Sequence, residues 1–263
     1  MPPLDEDEVA FYAISQATTA TFSDLYLRLT FLFFIQTGSK RVWTDGDELV
    51  AEEGDLLIFP AGSIVTMENR PVPDRSYRAI GLSFPDDLVR QVFGYRPAEA
   101  SRTNAQILRR VPHDPAALLP LFRATLENPD LPPLIRRHRL TEPLLWVQER
   151  GIDLAIADSA SPVSRVRRLI ATDPSYAWRA REVARHLAKS EATLRRELAA
   201  AGQGFARILH NTRLEHGLSL LQTTHTPISE VALASGFKTP SHFSDAFRTR
   251  FGIRPRDIRT AEP

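Results

Sequence analysis

Cysteine is absent from the 263-residue chain. Disulfides, thiol nucleophiles and thiolate-held metals are therefore excluded. Of the seven histidines, none precedes His113. Residues 1–112 thus have no imidazole to offer a metal ion. Long apolar runs are missing as well. Phe31–Ile35 is the longest, against the roughly 20 residues that cross a bilayer. Pro2–Glu8 is acidic where a secretory signal would be basic. A cytoplasmic protein with no membrane partner, no cofactor and no metal is expected.

Net charge is also nearly absent, at +1, but it is unevenly spread. Residues 160–263 hold 17 Lys+Arg and 9 Asp+Glu, a balance of +8. Residues 1–159 hold 16 and 23, a balance of −7. The basic half suits a polyanion, through release of condensed counterions. Its cations are mostly arginine, the residue suited to phosphate and guanine. By itself the same balance also fits a solvated basic surface.

Length leaves room for two domains. Residues 22–84 read as five or six short strands: Tyr26–Ile35, Arg41–Thr44, Glu48–Ala51, Leu56–Phe59, Ile64–Met67 and Tyr77–Phe84. Asp45-Gly46 is a hairpin signal, and Gly54-Asp55 a turn. Gly, Asp and Pro at the corners predict a small β-barrel or sandwich. From Pro85 the pattern turns helical. Asp86 and Asp87 open one helix, and Asp114-Pro115 caps another that runs to about Glu127. A third covers Leu134–Glu149, where Pro143 predicts a kink or break. Apolar residues at 134, 135, 144, 145 and 147 form either a packing face or a dimer face. Asp158–Pro162 reads as a linker. The domains expected are residues 1–157 and 163–263, joined by 158–162.

The last hundred residues carry two similar segments, Trp178–Ala200 and Pro227–Gly252. Each has Val-Ala on a first helix (Val183-Ala184, Val231-Ala232). Each continues with a tight turn and a second helix whose apolar residues lie four apart (Leu194/Leu198, Phe243/Phe247). Such pairs are helix–turn–helix units. Ser190 is the expected N-cap of the second helix in the first unit, and Thr226-Pro227 and Thr239-Pro240 read as caps in the second. Gly236 suits the turn. Between the units, Phe205–Gln222 has apolar positions at helical spacing. It forms a rod of roughly 25 Å, near the scale of one DNA turn. Ala192, Thr193, Arg195 and Arg196 are left facing out on the first unit. Pro240, Ser241, His242, Ser244, Asp245 and Arg248 are left facing out on the second. Each arginine reads a guanine, holds a phosphate or is simply solvated. Asp245 accepts from cytosine, orients an arginine, or is a surface carboxylate near the helix N-terminus.

This order of residues resembles the AraC/XylS family of bacterial transcription regulators, over about residues 163–259. The matching positions include Trp178, Val183-Ala184, Leu187, Ser190, Leu194 and Arg196, then Arg213-Leu214 and Leu220-Leu221. Ile228, Val231-Ala232, Gly236-Phe237, Ser241, Phe243, Phe247, Phe251-Gly252 and Pro255 follow. The resemblance implies base contacts from Ala192, Arg195 and Arg196, and from Pro240, Ser241, His242, Ser244 and Asp245. Arg213 and Arg248 complete the candidate DNA-binding set. The chain departs from the family at Arg179, at Gly217 (usually Ala, with a helix cost of up to about 1 kcal/mol) and at Arg254. The run Gly54-Asp55-Leu56-Leu57-Ile58-Phe59-Pro60-Ala61-Gly62 resembles the cupin-like effector domain that many members carry. Ser63, Ile64 or Val65 stands where a cupin often places a metal-binding histidine.

An α+β chain follows: a cupin-like β-barrel with helices after it, then an all-α tandem helix–turn–helix domain. The expected activity is sequence-specific recognition of promoter DNA in two adjacent major grooves, as an activator in contact with RNA polymerase. Control passes through the N-terminal domain, by a small molecule or a regulatory protein. Alternatives are a ligand-independent homodimeric regulator, a repressor, or a cupin-type enzyme fused to a DNA-binding module. The histidine-free barrel counts against the last, and the missing cysteine excludes alkyl-transfer repair of DNA. No catalytic residue is expected. Arg28, Arg41 and Trp43 either line an effector pocket or face outward.

Overall fold

In a computed structural model, residues 9–44, 47–94, 105–109, 118–154 and 161–259 are described. They divide into two compact units, one within 9–154 and one within 161–259. The expected linker falls largely outside the described residues, as do Asp45-Gly46 and Asp114-Pro115.

The first unit is built on two antiparallel sheets. Its strands are β1 (Ala10–Gln16), β2 (Ala20–Leu27), β3 (Thr30–Thr37), β4 (Ser39–Thr44), β5 (Asp47–Glu52), β6 (Leu56–Phe59), β7 (Ser63–Arg70), β8 (Tyr77–Phe84) and β9 (Gln106–Leu108). One sheet has the order β1-β8-β3-β6-β9, the other β2-β7-β4-β5. Three helices follow the strands: α1 (Asp86–Phe93), α2 (Leu119–Glu127) and α3 (Pro133–Glu149).

Burial explains the sequence patterns. The five-stranded sheet has one face toward the other sheet and one toward the helices. Leu32, Phe34, Ile58, Leu82 and Phe84 pack with Leu88, Val89, Phe122, Leu144 and Val147. With both faces covered, β6 is buried at every position and β8 at all but one. Continuous apolar runs are the result. The four-stranded sheet is covered on one face only, so β4 and β7 alternate.

Among the described residues there are nine strands, against the five or six expected over residues 22–84. Tyr26–Ile35 is two strands, and β1 and β9 have no counterpart in the sequence reading. In β2, polar Ser23-Asp24 masks the pattern because the register slips between Phe22 and Leu25, with Asp24 at φ 52°. Such a bulge breaks the alternation on which strand assignment relies. Pro143 does not end its helix. It is buried with Leu140, Leu144 and Val147 against the core, and this packing offsets the hydrogen bond lost to the Arg139 carbonyl. The apolar face of α3 therefore splits: Leu144 and Val147 are core, whereas Leu134, Ile135 and Leu145 are exposed.

The second unit is all helix: α4 (Pro162–Thr172), α5 (Ala180–His186), α6 (Glu191–Ala200), α7 (Phe205–Thr223), α8 (Ile228–Ala234), α9 (Pro240–Phe251) and α10 (Pro255–Ile258). Val166, Ile170, Val183, Ala184, Leu194, Leu198 and Ile208 form one core. The second half of the unit is an aromatic stack, in which Phe243 meets Phe237 and Phe247, and Phe247 meets Phe251, at 4.7–5.5 Å.

Candidate nucleic-acid interface

The two helix–turn–helix units repeat each other bond for bond. After α5, Leu187 N–H donates to Val183 O, Ala188 to Arg185 O and Lys189 to Ala184 O, at 2.8–3.0 Å. After α8, Ser235 donates to Val231 O, Gly236 to Leu233 O and Phe237 to Ala232 O, at 2.9–3.0 Å. Both turns close with the same left-handed residue, Ala188 at φ 54° and Gly236 at φ 77°. The tight turn is thus dictated by satisfying the last helical carbonyls.

Each second helix is then capped as its sequence predicts. The Ser190 hydroxyl accepts from Thr193 N–H at 3.1 Å, and the Thr239 hydroxyl from His242 N–H at 3.2 Å. Pro240 occupies the first turn of α9. Thr226-Pro227 departs from expectation. Helix α8 begins at Ile228, Pro227 is itself the cap residue, and the Thr226 hydroxyl accepts from that of Thr224.

On α6, Leu194 and Leu198 are buried while Ala192, Arg195 and Arg196 are exposed. Arg195 pairs with Glu191 at 2.6 Å across one turn. On α9, Phe243 and Phe247 are buried, and Pro240, Ser241, His242, Asp245 and Arg248 are exposed, with Ser244 half-buried. The His242 ring also packs edge-on against Phe237, 5.3 Å away. Two polar-faced helices, each standing on its own core, are thereby left open to a groove.

Arg213 is placed differently from the other candidates. Its Nε donates to Pro174 O at 2.9 Å and its Nη2 to Tyr176 O at 2.8 Å. The guanidinium is occupied with the loop between α4 and α5. Gly217 lies where α7 meets α9: a Cβ there would come within 2.6 Å of the Phe243 ring. Its helix cost permits the close approach of the recognition helix.

Trp43 and Arg41 stand half-exposed on the outer face of β4, alternating with buried Lys40, Val42 and Thr44. Arg41 pairs with Glu48 at 2.5 Å and lies over the Trp43 ring. Among the described residues of this unit, Lys40 is a buried, inward-facing cation that is not among the pocket candidates of the sequence. Counting alternate residues from inward Val42 would have found it. Lys40 is 2% exposed. Its Nζ donates to Asn69 Oδ1 at 2.5 Å and lies 5.1 Å and 5.2 Å from the ring centres of Phe33 and Tyr77. Asn69 in turn donates to Gln16 Oε1 at 2.8 Å. Burial pushes the Lys40 amine down to about 7, and the buried Tyr77 hydroxyl, which has no hydrogen-bond partner among the described residues, is pushed well up.

Among the described residues, no group of three or more His, Asp or Glu is placed to hold a metal ion, and no helix is long and apolar enough to cross a membrane.

Residues 183–261 match a family described as a helix-turn-helix domain. Along most of its length the chain is similar to the TCP pilus virulence regulatory protein of Vibrio cholerae, with 20% identity over 94% of this chain and 92% of that protein. The ornithine utilization regulator of Pseudomonas aeruginosa is 37% identical over 38% of this chain and 29% of its own length. The virulence regulon transcriptional activator VirF of Shigella flexneri is 28% identical over 39% of each. Among solved structures, ToxT of Vibrio cholerae bound to an unsaturated fatty acid superposes with a TM-score of 0.62, at 16% identity over 94% of this chain and 92% of that one. A ToxT structure without ligand gives 0.66, at 17% identity over 97% of both chains. The fold is thus ToxT-like, with a β-rich N-terminal unit and a helical C-terminal one.

Fold and site together define a DNA-binding transcription regulator. Its helix–turn–helix domain, over residues 183–261, is of the AraC type.

Proposed function

We propose that the chain activates transcription by reading two adjacent major grooves of promoter DNA, one with α6 and one with α9. The observation that carries this reading is the repeated helix–turn–helix geometry, which leaves both second helices open on their polar faces. Arg195, Arg196 and Ala192 are the readers on the first unit. Pro240, Ser241, His242, Ser244 and Asp245 are those on the second, with Arg248 holding phosphate. Activation takes place in the cytoplasm and involves contact with RNA polymerase. Residues 1–157 form the control domain, 158–162 the linker and 163–263 the reader.

The control domain, on this reading, answers to an organic acid. ToxT binding an unsaturated fatty acid supports the ligand class. Lys40 supports the place, since it is a fully buried amine whose partners include an amide, a thioether and two aromatic rings.

Gel shifts of the full chain on promoter duplexes over a series of salt concentrations test the DNA reading. Log affinity should fall against log salt with a slope of about −0.9 per phosphate neutralised. Binding that ignores both sequence and salt would sink it. Adding palmitoleic acid to the same gel shift tests the control reading. The acid should change the affinity of the wild-type chain and leave Lys40→Met unaffected.

A further inference from the structure

Two polar contacts hold α7 on opposite sides: one joins the two reading units, and the other ties α7 to the first unit where the turn of the second also packs. On one side Glu215 bridges Arg167 of α4, at 2.7 Å, and Arg250 of α9, at 3.4 Å. Helix α4 belongs to the core under the first recognition helix, and α9 is the second recognition helix. The three side chains are only 6–15% exposed. On the other side Arg213 donates to the carbonyls of Pro174 and Tyr176, in the loop before α5. Gly236, in the turn of the second unit, presses on the same place: a Cβ there would lie 2.4 Å from Pro174 O and 2.6 Å from Arg213 Nε. Positions 213 and 215 are about 200° apart around a helix. The first unit, the rod and the second unit therefore meet at both edges of the rod.

Apolar contacts alone tolerate rolling of one helix over another. A buried carboxylate shared by two guanidiniums does not, because rotation leaves a charge unpaired in a dry place. Backbone carbonyls accepting from a planar guanidinium add the same directional demand.

We propose that Glu215 and Arg213 are positioning residues that lock α6 and α9 in one relative orientation, so that the chain accepts two half-sites at a single spacing. The proposal rests on the two-groove reading above. In it, Arg213 acts on DNA only through the orientation of the units.

The test uses the full chain and a duplex that it selects from a random pool. One base pair is then inserted or removed between the half-sites, which turns the second groove by about 35°. Wild type should lose affinity roughly tenfold or more, because the second head no longer engages together with the first. Glu215→Gln and Arg213→Met should each reduce that penalty, and the double variant should bring it within about twofold. Affinity for a duplex carrying one half-site should stay at the wild-type level. Arg167→Met removes the Glu215 bridge from its other end and should act as Glu215→Gln does. It also carries the test if Glu215→Gln does not fold. An unchanged spacing penalty in folded variants overturns the proposal, as does a uniform loss at every spacing. Loss of half-site affinity in Arg213→Met would make Arg213 a DNA contact and overturn its positioning role. A wild-type chain indifferent to spacing would instead overturn the two-groove reading.

Discussion

Gly217 and Ala188 are two small residues in places where the reverse choice looks better on propensity. Alanine at 217 would add up to about 1 kcal/mol of helix stability. Its methyl would also sit 2.6 Å from the fully buried Phe243 ring and 3.1 Å from Ser235 Oγ. Overpacking of that kind costs about 1–3 kcal/mol. Gly217→Ala should therefore be destabilising on balance in urea unfolding, and it should weaken DNA binding by pushing α9 outward. A stabilised variant with full affinity would show that the ring yields freely. Ala188 is the mirror case. Its φ of 54° is the conformation that Gly236 holds in the second unit. A left-handed alanine costs about 1–2 kcal/mol, and glycine gives back about 0.4–1 kcal/mol through the freer unfolded chain. Ala188→Gly should stabilise by about 0.5–1 kcal/mol in the same assay. The left-handed turn was legible at Gly236 because glycine marks it. At Ala188 the residue type hides it.

At the scale of the element, α6 and α9 are the parts that should divide the labour of recognition. Arg196 projects off the buried stripe of Leu194 and Leu198, and Asp245 off that of Phe243 and Phe247. Arg196→Ala should cost about 1–3 kcal/mol of DNA binding and relax preference in one half of the selected site. Asp245→Ala should change preference in the other half, about 10 base pairs away, and raise non-specific affinity by removing a charge that phosphates repel. Binding-site selection with each variant measures both. Uniform losses across all sequences would mean that the two residues only hold the backbone. These helices were readable because their signals are local: a cap hydroxyl, a proline in the first turn and apolar residues four apart. Strands β1, β2 and β9 were not readable on the same terms. A bulge at Ser23-Asp24 breaks one alternation, and strand β9 has three residues, too few to show a period.

For the molecule as a whole, the least expected feature is a charge in the middle of the β-rich unit. Lys40 has an amine near 7 in the fold and 10.5 as its ordinary value. Below about pH 7 it carries its proton in both the folded and the unfolded chain, and the full cost of burying the ammonium is present. Between about 7 and 10.5 the unfolded chain binds the extra proton, so stability rises with pH across that window. Lys40→Met should flatten the rise and stabilise the unit at neutral pH, as read from thermal unfolding at a series of pH values. An unchanged profile would mean that the amine is hydrated in solution. A cation kept at such a cost, held by neutral Asn69 and two aromatic rings, fits a binding role better than a packing one.

The sequence by itself determined the two-part plan, the polarity of the halves, the double helix–turn–helix and the identity of its outward residues. Those depend on short-range rules: periodicity, caps, turn glycines and the balance of charge along the chain. Only the tertiary structure decided that Lys40 of the β-rich unit points inward. Likewise, it decided that Pro143 continues its helix, since burial against a sheet outweighs one lost backbone bond. Contacts between residues far apart in sequence also take Arg213, a candidate DNA contact in the sequence, to the carbonyls of Pro174 and Tyr176, and set Glu215 between two arginines. Glu215 finds Arg167 48 residues before it and Arg250 35 residues after it. No local pattern encodes a partner at that distance, because what selects it is the shape of the packed helices.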